Sequence, residues 1–355
     1  MGKRQFARTK SRSMVTYGIS NSAEINQSSW LTKKSSGKDR LYRGEITMTI
    51  KTLGFIGIGN MGARMVPHIA ATGIPIHIYD LNAGACRDFA RAHNNIVVEE
   101  SAAAVATAAD AVITMLPAGP DVNGCALGTD GLAEGFSDGD ILIDMSSSQP
   151  WMTVELAAEL AKSGIHMIDA PVSGGTLGAD NGTLTLMIGG ADEDVERCLP
   201  VLEPMAGHIF RTGNVGSGHA LKTLNNLLSG LNTVAAAEAL MIGTRFGLDP
   251  EVMCDVINES TGMNSATKRN MKQHVISRKF GGGGFAWDLK FKDYKIAMEL
   301  ARVTQTPVPF SALGFQLYES ANTWIGDTSD KQSIEYVRWY EHFAGSEIRK
   351  PANDG

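Results

Sequence analysis

The chain has 355 residues, 43% of them hydrophobic and 20% charged, a balance that excludes a disordered or fibrous protein and leaves length for two domains with separate cores. Its net charge is −6, but residues 1–50 carry ten Lys and Arg against three Asp and Glu, leaving the other 305 residues at −13, which argues against a duplex-binding surface on the body. No uninterrupted apolar run approaches the ~20 residues of a membrane span, and Cys86, Cys125, Cys198 and Cys254 are too scattered for a zinc site or disulfide scaffold, so they read as reduced thiols of a cytosol-like compartment.

Residues 1–46 are rich in Ser, Arg, Lys and Gly, without a sustained apolar period, and read as disordered. Three roles are open for them: an unstructured upstream extension with Met48 as an alternative start, an organelle transit peptide, or an arm for nucleic acid or an acidic partner. The expected division is a basic extension over 1–50, a first domain of alternating strands and helices over 51–213, a helical second domain over 214–345, and a tail over 346–355.

From Thr52 the chain reads as a short apolar strand, a glycine-rich turn, a helix and a second strand ending at Asp80. Gly57, Gly59 and Gly62 make G-x-G-x-x-G, in which the first glycine permits a tight turn, the second admits a pyrophosphate and the third allows close helix–strand packing. The spacing alone is a weak signal. Its position between strand and helix, answered by an acid at the end of the next strand, marks a Rossmann unit. The whole turn, with Ile58, Asn60 and Met61, is the candidate cofactor contact. Asp80 would accept hydrogen bonds from the adenosine ribose and repel a 2′-phosphate; Leu81, Asn82 and Ala83 follow it without an Arg, so NAD is expected over NADP.

Further strands are expected at 96–100, 111–117, 141–147, 166–175 and 183–190, alternating with helices in a mostly parallel sheet whose carboxyl ends face the ligand. After Gly218 the pattern turns helical, opening with about 28 residues from His219, a spine between the domains. Asp249 and Pro250 read as the N-cap and first residue of a helix to about Asn258. Gly281–Gly284 reads either as a hinge beside the site or as a plain surface loop. The spacing of Tyr336, Trp339, Tyr340 and Phe343 suits core or interface. His166, His208 and His219 form no cluster, and no metal is expected.

Four motifs in order, GFIGIGNMG at 54–62, DAPVSGG at 169–175, GNVGSGHALKTLNN at 213–226 and FKDYKIA at 291–297, resemble those of the β-hydroxyacid dehydrogenases. The resemblance spans roughly residues 52–330. It implies a Rossmann domain followed by an all-helical domain, joined by a long interdomain helix and assembled as a dimer or tetramer. It also implies NAD-dependent, reversible hydride transfer on a short β-hydroxyacid or its semialdehyde, in the cytoplasm or, with a transit peptide, in mitochondria.

Lys222 suits that chemistry. An ammonium stabilises the negative charge that develops on the carbonyl oxygen and donates the proton; the neutral amine takes it back in oxidation. A place near the start of a long helix should lower its pKa through the dipole. An isolated helical Lys is ordinarily a solvated surface charge, and here the surrounding motif carries the functional reading. Asn226, one turn on, is suited to hold the substrate oxygen or the Lys. Ser173, Gly174 and Gly175 read either as a plain turn or, by resemblance, as the cradle of the substrate carboxylate. The resemblance also assigns cofactor contacts to Lys292, Leu116, Pro117 and Ser147. Asp293 is a candidate partner for Lys292, although neighbours in a helix do not face each other. The segment departs from the common F-x-L-x-L-x-x-K-D-L at Trp287, Lys290 and Tyr294, which suggests a bulkier or more polar pocket wall. Two other readings stand beside this one. An imine reductase on the same scaffold is opposed by Lys222, and a non-catalytic binding protein by its retention.

Overall fold

The computed structural model describes residues 50–281 and 285–350. The basic extension, three residues of the glycine run and residues 351–355 lie outside the described residues.

The front half alternates strands β1 (Leu53–Ile56), β2 (Ile76–Tyr79), β3 (Ile96–Val98), β4 (Ala111–Thr114), β5 (Ile141–Asp144) and β6 (His166–Asp169) with helices. These helices are α1 (Gly62–Ala70), α2 (Ala83–Ala90), α3 (Ala102–Ala108), α4 (Gly119–Leu127), α5 (Leu132–Gly135) and α6 (Pro150–Leu160). The six strands run parallel in the order β3-β2-β1-β4-β5-β6. β1, β4 and β5 are buried throughout, because helices cover both faces of the sheet.

The sheet continues through β7 (Val172–Ser173), α7 (Gly175–Asp180), β8 (Leu184–Gly189), α8 (Asp192–Leu202) and β9 (Ala206–Gly213). β8 is antiparallel to β6 and β7 and parallel to β9. One cluster of buried side chains, including Phe55, Met65, Ile78 and Leu186, fills one side of the sheet. Another, including Ile56, Val105, Leu142 and Leu156, fills the other.

α9 (Ser217–Phe246) runs for 30 residues, slightly longer than expected. By length and composition it is apolar enough to cross a membrane, with a mean hydropathy of 1.3 over its best window, but 56% of that window is buried inside the fold. Around it pack α10 (Pro250–Asn258), a wide helical segment at Ala266–Ile276, α11 (Trp287–Val303), α12 (Pro309–Ile325) and α13 (Tyr336–Ala344). The α10 start is as expected: the Asp249 carboxylate accepts from the Glu251 amide at 2.7 Å. Trp287, Tyr294, Tyr318 and Tyr336 form the centre of this second core, with Tyr318 ring centroids 4.9 Å from Tyr294 and 4.7 Å from Tyr336. Trp287 and Tyr294 are therefore core residues and not the pocket wall that their departure from the common pattern suggested. The tail joins this core at Ile348, which is fully buried.

Candidate active site

The glycine turn explains its own composition. At Gly57 φ is +100°, and a Cβ there would stand 2.4 Å from the Met115 carbonyl oxygen, where β4 ends. A Cβ on Gly62 would meet the Gly57 carbonyl oxygen at 2.0 Å, so α1 abuts the turn that precedes it. Gly59 differs, since a Cβ there would meet no protein atom within 4 Å. The space before it is open to a ligand, which is where a pyrophosphate would approach the backbone.

Asp80, half-buried at the end of β2, ties that strand to the turn. Its Oδ2 accepts from the Ile58 amide at 2.8 Å and its Oδ1 from the Asn82 amide at 2.8 Å, leaving each oxygen further acceptor capacity. Asn60 accepts from the Arg64 guanidinium through its side chain at 2.6 Å. Met61 packs against the core.

The other candidates meet where the two halves of the chain join. The Leu116 amide donates to Ser146 Oγ at 2.9 Å. Lys292 Nζ, from α11, donates to the carbonyls of Pro117 at 3.0 Å and Ser147 at 2.9 Å, holding the loops that follow β4 and β5. Lys292 Nζ also lies 3.5 Å from Asp293 Oδ1. The long Lys side chain thus folds back to its neighbour despite their different helical directions. Asp293 Oδ2 in turn accepts from Asn226 Nδ2 at 2.6 Å.

Lys222 lies one turn before Asn226 on α9, and among the described residues its ammonium has no hydrogen bond or ion pair. Burial pushes its pKa below the usual lysine range, Asp293 pulls it back up and Lys292 presses it down again. The helix dipole expected to do this is a minor influence, because Lys222 is the sixth residue of α9, beyond the first turn where the dipole acts. The side chain still keeps part of its surface open. Asn226 was expected to hold the substrate oxygen or the Lys; in this structure its amide group holds Asp293.

Lys290, a residue noted only for its departure from the pattern, is 6% exposed. Its Nζ lies 3.3 Å from both the Asn226 carbonyl and Ser229 Oγ. Ser173 sits in β7 opposite Thr185, followed by exposed Gly174 and Gly175 with φ of +134° and +63°. No hydrogen bond joins these three to Lys222 among the described residues. The link between them is β8, which pairs with β7 and packs on α9.

Asp169 and His219 carry a role that the sequence reading missed. The Asp169 carboxylate, fully buried at the end of β6, accepts from the backbone amides of Gly216 at 2.6 Å and His219 at 2.7 Å. Burial pushes this carboxyl up, while the His219 ring and the two amides pull it down. The buried His219 ring sits between Asp169 and Asp144, Nδ1 lying 2.9 Å from Thr153 Oγ1 and Nε2 3.1 Å from the Ser146 carbonyl. Only the acid at the start of DAPVSGG signalled this. Elsewhere, burial pushes the Cys125 thiol up to about 12, and no group of three or more His, Cys, Asp or Glu among the described residues is placed to hold a metal.

Comparison with known proteins agrees with this geometry. Residues 52–213 match a family described as the NAD binding domain of 6-phosphogluconate dehydrogenase. Residues 216–338 match one described as NAD-binding of NADP-dependent 3-hydroxyisobutyrate dehydrogenase. The chain is 34% identical over 302 residues to 2-(hydroxymethyl)glutarate dehydrogenase of Eubacterium barkeri, covering 83% of this chain and 97% of that enzyme. It is 36% identical over 271 residues to mitochondrial 3-hydroxyisobutyrate dehydrogenase of Homo sapiens, covering 75% and 80%. The solved structure of Mycobacterium tuberculosis 3-hydroxyisobutyrate dehydrogenase with L-serine superposes with a TM-score of 0.73 at 31% identity, covering 82% of this chain and 99% of that one. Fold and relatives together place the chain in the NAD-binding β-hydroxyacid dehydrogenase family, beside the 3-hydroxyisobutyrate dehydrogenases.

Proposed function

We propose that this protein interconverts a short β-hydroxyacid and its semialdehyde, using NAD, with Lys222 as the proton donor and acceptor. The observation that carries this is a half-buried lysine, without a hydrogen bond or ion pair among the described residues, one turn from Asn226 on α9, the helix that α11 with Lys292 packs against. Gly57, Ile58, Gly59, Asn60, Met61 and Gly62 would hold the cofactor pyrophosphate by their backbone, with Asp80 on the ribose and Leu116, Pro117, Ser147 and Lys292 toward the nicotinamide. When bound, that group supplies or accepts the hydride. Lys222 places a proton on the substrate oxygen or removes it, and Asn226, fixed by Asp293, orients that oxygen. Ser173, Gly174 and Gly175 hold the carboxylate. Asp80 with the 93% exposed Leu81 beside it supports NAD over NADP, since Leu81, Asn82 and Ala83, which follow it, offer no cation to a 2′-phosphate.

The test is NADH formation, with NADP as control, across 3-hydroxyisobutyrate, 3-hydroxypropionate, serine, glycerate, threonate, 4-hydroxybutyrate and 2-(hydroxymethyl)glutarate. Turnover of at least one acid with NAD is expected. Silence across the panel, with NADH bound, removes the reading. Gly59→Val should raise the NADH Kd by ~100-fold with the melting temperature nearly unchanged, whereas Gly62→Val should lower the melting temperature itself, because only there does the side chain strike protein. Equal effects of the two on melting would contradict the assigned roles.

We also infer a homo-oligomer. Leu221, Leu224 and Leu228 form one exposed stripe on α9, and Val252 and Val256 another exposed pair on α10, apolar faces of the kind that a second subunit covers. Sedimentation should give a dimer or larger, and Leu228→Glu should shift it toward monomer; a monomeric wild type rejects this.

A further inference from the structure

We propose that Lys290 is a second anion-recognising residue of the candidate active site, and that the preferred substrate is a hydroxyacid bearing a second carboxylate. The proposal rests on the hydroxyacid dehydrogenase reading and deepens it.

Three lysines, Lys222, Lys290 and Lys292, share the field of one carboxylate, Asp293, and only Lys292 is within ion-pair distance of it, at 3.5 Å. That carboxylate is already engaged, its Oδ2 accepting from Asn226 and its Oδ1 facing Lys292. Among the described residues no carboxylate stands within ion-pair distance of Lys290. Its Nζ has only two neutral oxygens, both at 3.3 Å, at the long edge of hydrogen bonding, and the Phe285 ring centroid at 5.1 Å. An ammonium has three N–H donors, so at least one is free.

A cation buried without a counter-ion is costly, and a merely structural contact between α9 and α11 would be met as well by an apolar side chain. An anionic ligand supplies the missing charge. Burial lowers Lys290 to about 8, with Asp293 opposing and Lys222 adding to the fall, so it remains mostly an ammonium at neutral pH.

The reach is suitable. Asn226 and Ser229 lie four and seven residues beyond Lys222 on α9, or ~6–10 Å at 1.5 Å per residue. A five-carbon skeleton with its alcohol at Lys222 and one carboxylate at Ser173–Gly175 can turn its other carboxylate toward Lys290.

The experiment compares 2-(hydroxymethyl)glutarate with 3-hydroxyisobutyrate as substrates for the full chain, as wild type, Lys290→Met and Lys290→Arg. Wild type should favour the diacid in kcat/KM by ~10-fold or more, and Lys290→Met should cut that selectivity by ~30-fold, chiefly through KM, as expected for losing one charge-assisted hydrogen bond. Lys290→Arg should retain most of it. A wild type that favours the monoacid, or a selectivity that Lys290→Met leaves unchanged whatever the absolute rates, overturns the proposal.

A binding arm separates this from failure of the dehydrogenase reading. With NADH present, 2-methylglutarate should bind more tightly than isobutyrate in wild type but not in Lys290→Met. That result supports Lys290 even if no alcohol is oxidised; equal binding of the two acids by wild type overturns the proposal.

Discussion

Replacing Lys222 with Ala is expected to lower kcat by ~1,000-fold or more while leaving NADH binding within a few-fold, since one group is assigned both proton transfer and stabilisation of the oxyanion. Binding survives because the glycine turn and Asp80 lie on other elements and share no hydrogen bond with Lys222. The pH profile should carry the same signature. Burial holds the Lys222 pKa below the ordinary range, with Asp293 opposing and Lys292 reinforcing, and an unperturbed lysine titrates near ~10.4. Oxidation needs the neutral amine, so its rate should rise with pH through that lowered pKa. Reduction needs the ammonium, so its rate should fall over the same interval. Lys222→Arg keeps the charge but cannot release a proton, and should abolish the rising limb of oxidation. Undiminished turnover by Lys222→Ala, measured under saturating NAD, would remove this residue from the chemistry.

The second large effect is expected from Asp169→Ala, on stability as well as rate. The carboxylate is fully buried, receives two backbone amides at the start of α9 and faces the His219 ring at 3.6 Å. Its surroundings are shaped to it: a Cβ on Gly189 or Gly218 would come within 2.5 and 2.8 Å of its oxygens. Deleting it strands two buried donors at ~1–3 kcal/mol each, roughly 4 kcal/mol in all, or about 10 °C of melting temperature for a body of this size. The surviving folded protein should also turn over slowly, because the first turns of α9 set where Lys222 points. Asp169→Asn, which keeps one acceptor oxygen, should fall between. Thermal melts of the three proteins decide it, and an alanine variant melting within 2 °C of wild type would show that another group anchors the helix.

What was legible in the sequence was what is local. A strand, a turn with three glycines, a helix and an acid at the next strand's end lie within Leu53–Asp80; Gly62 answers to its neighbour Gly57 and Gly59 to open space, while the Met115 carbonyl that confines Gly57 comes from a distant strand. Lys222 and Asn226 share a helix face by spacing alone. β9 escaped notice because it is an edge strand whose side chains are mostly exposed and mixed, AGHIFRTG, without the alternation that marks a half-buried strand. Trp287 and Tyr294 were misread because their seven-residue spacing defines a stripe without saying what the stripe faces; the stripe faces Tyr318. The Asp169–His219 contact joins residues 50 apart, and periodicity carries no information about such a pairing.

The Lys292 contacts to Pro117 and Ser147 have a consequence for how the reaction is kept whole. On the proposed reading the hydride travels to or from a cofactor carried by the front half, while the proton travels to or from an amine carried by the back half. Two particles of one reaction are thus assigned to separate halves of one compact unit, and Lys292 with its Asp293 neighbour is a clasp between them. On that reading, loosening the clasp would let the two transfers drift out of step without touching Lys222 or the glycine turn.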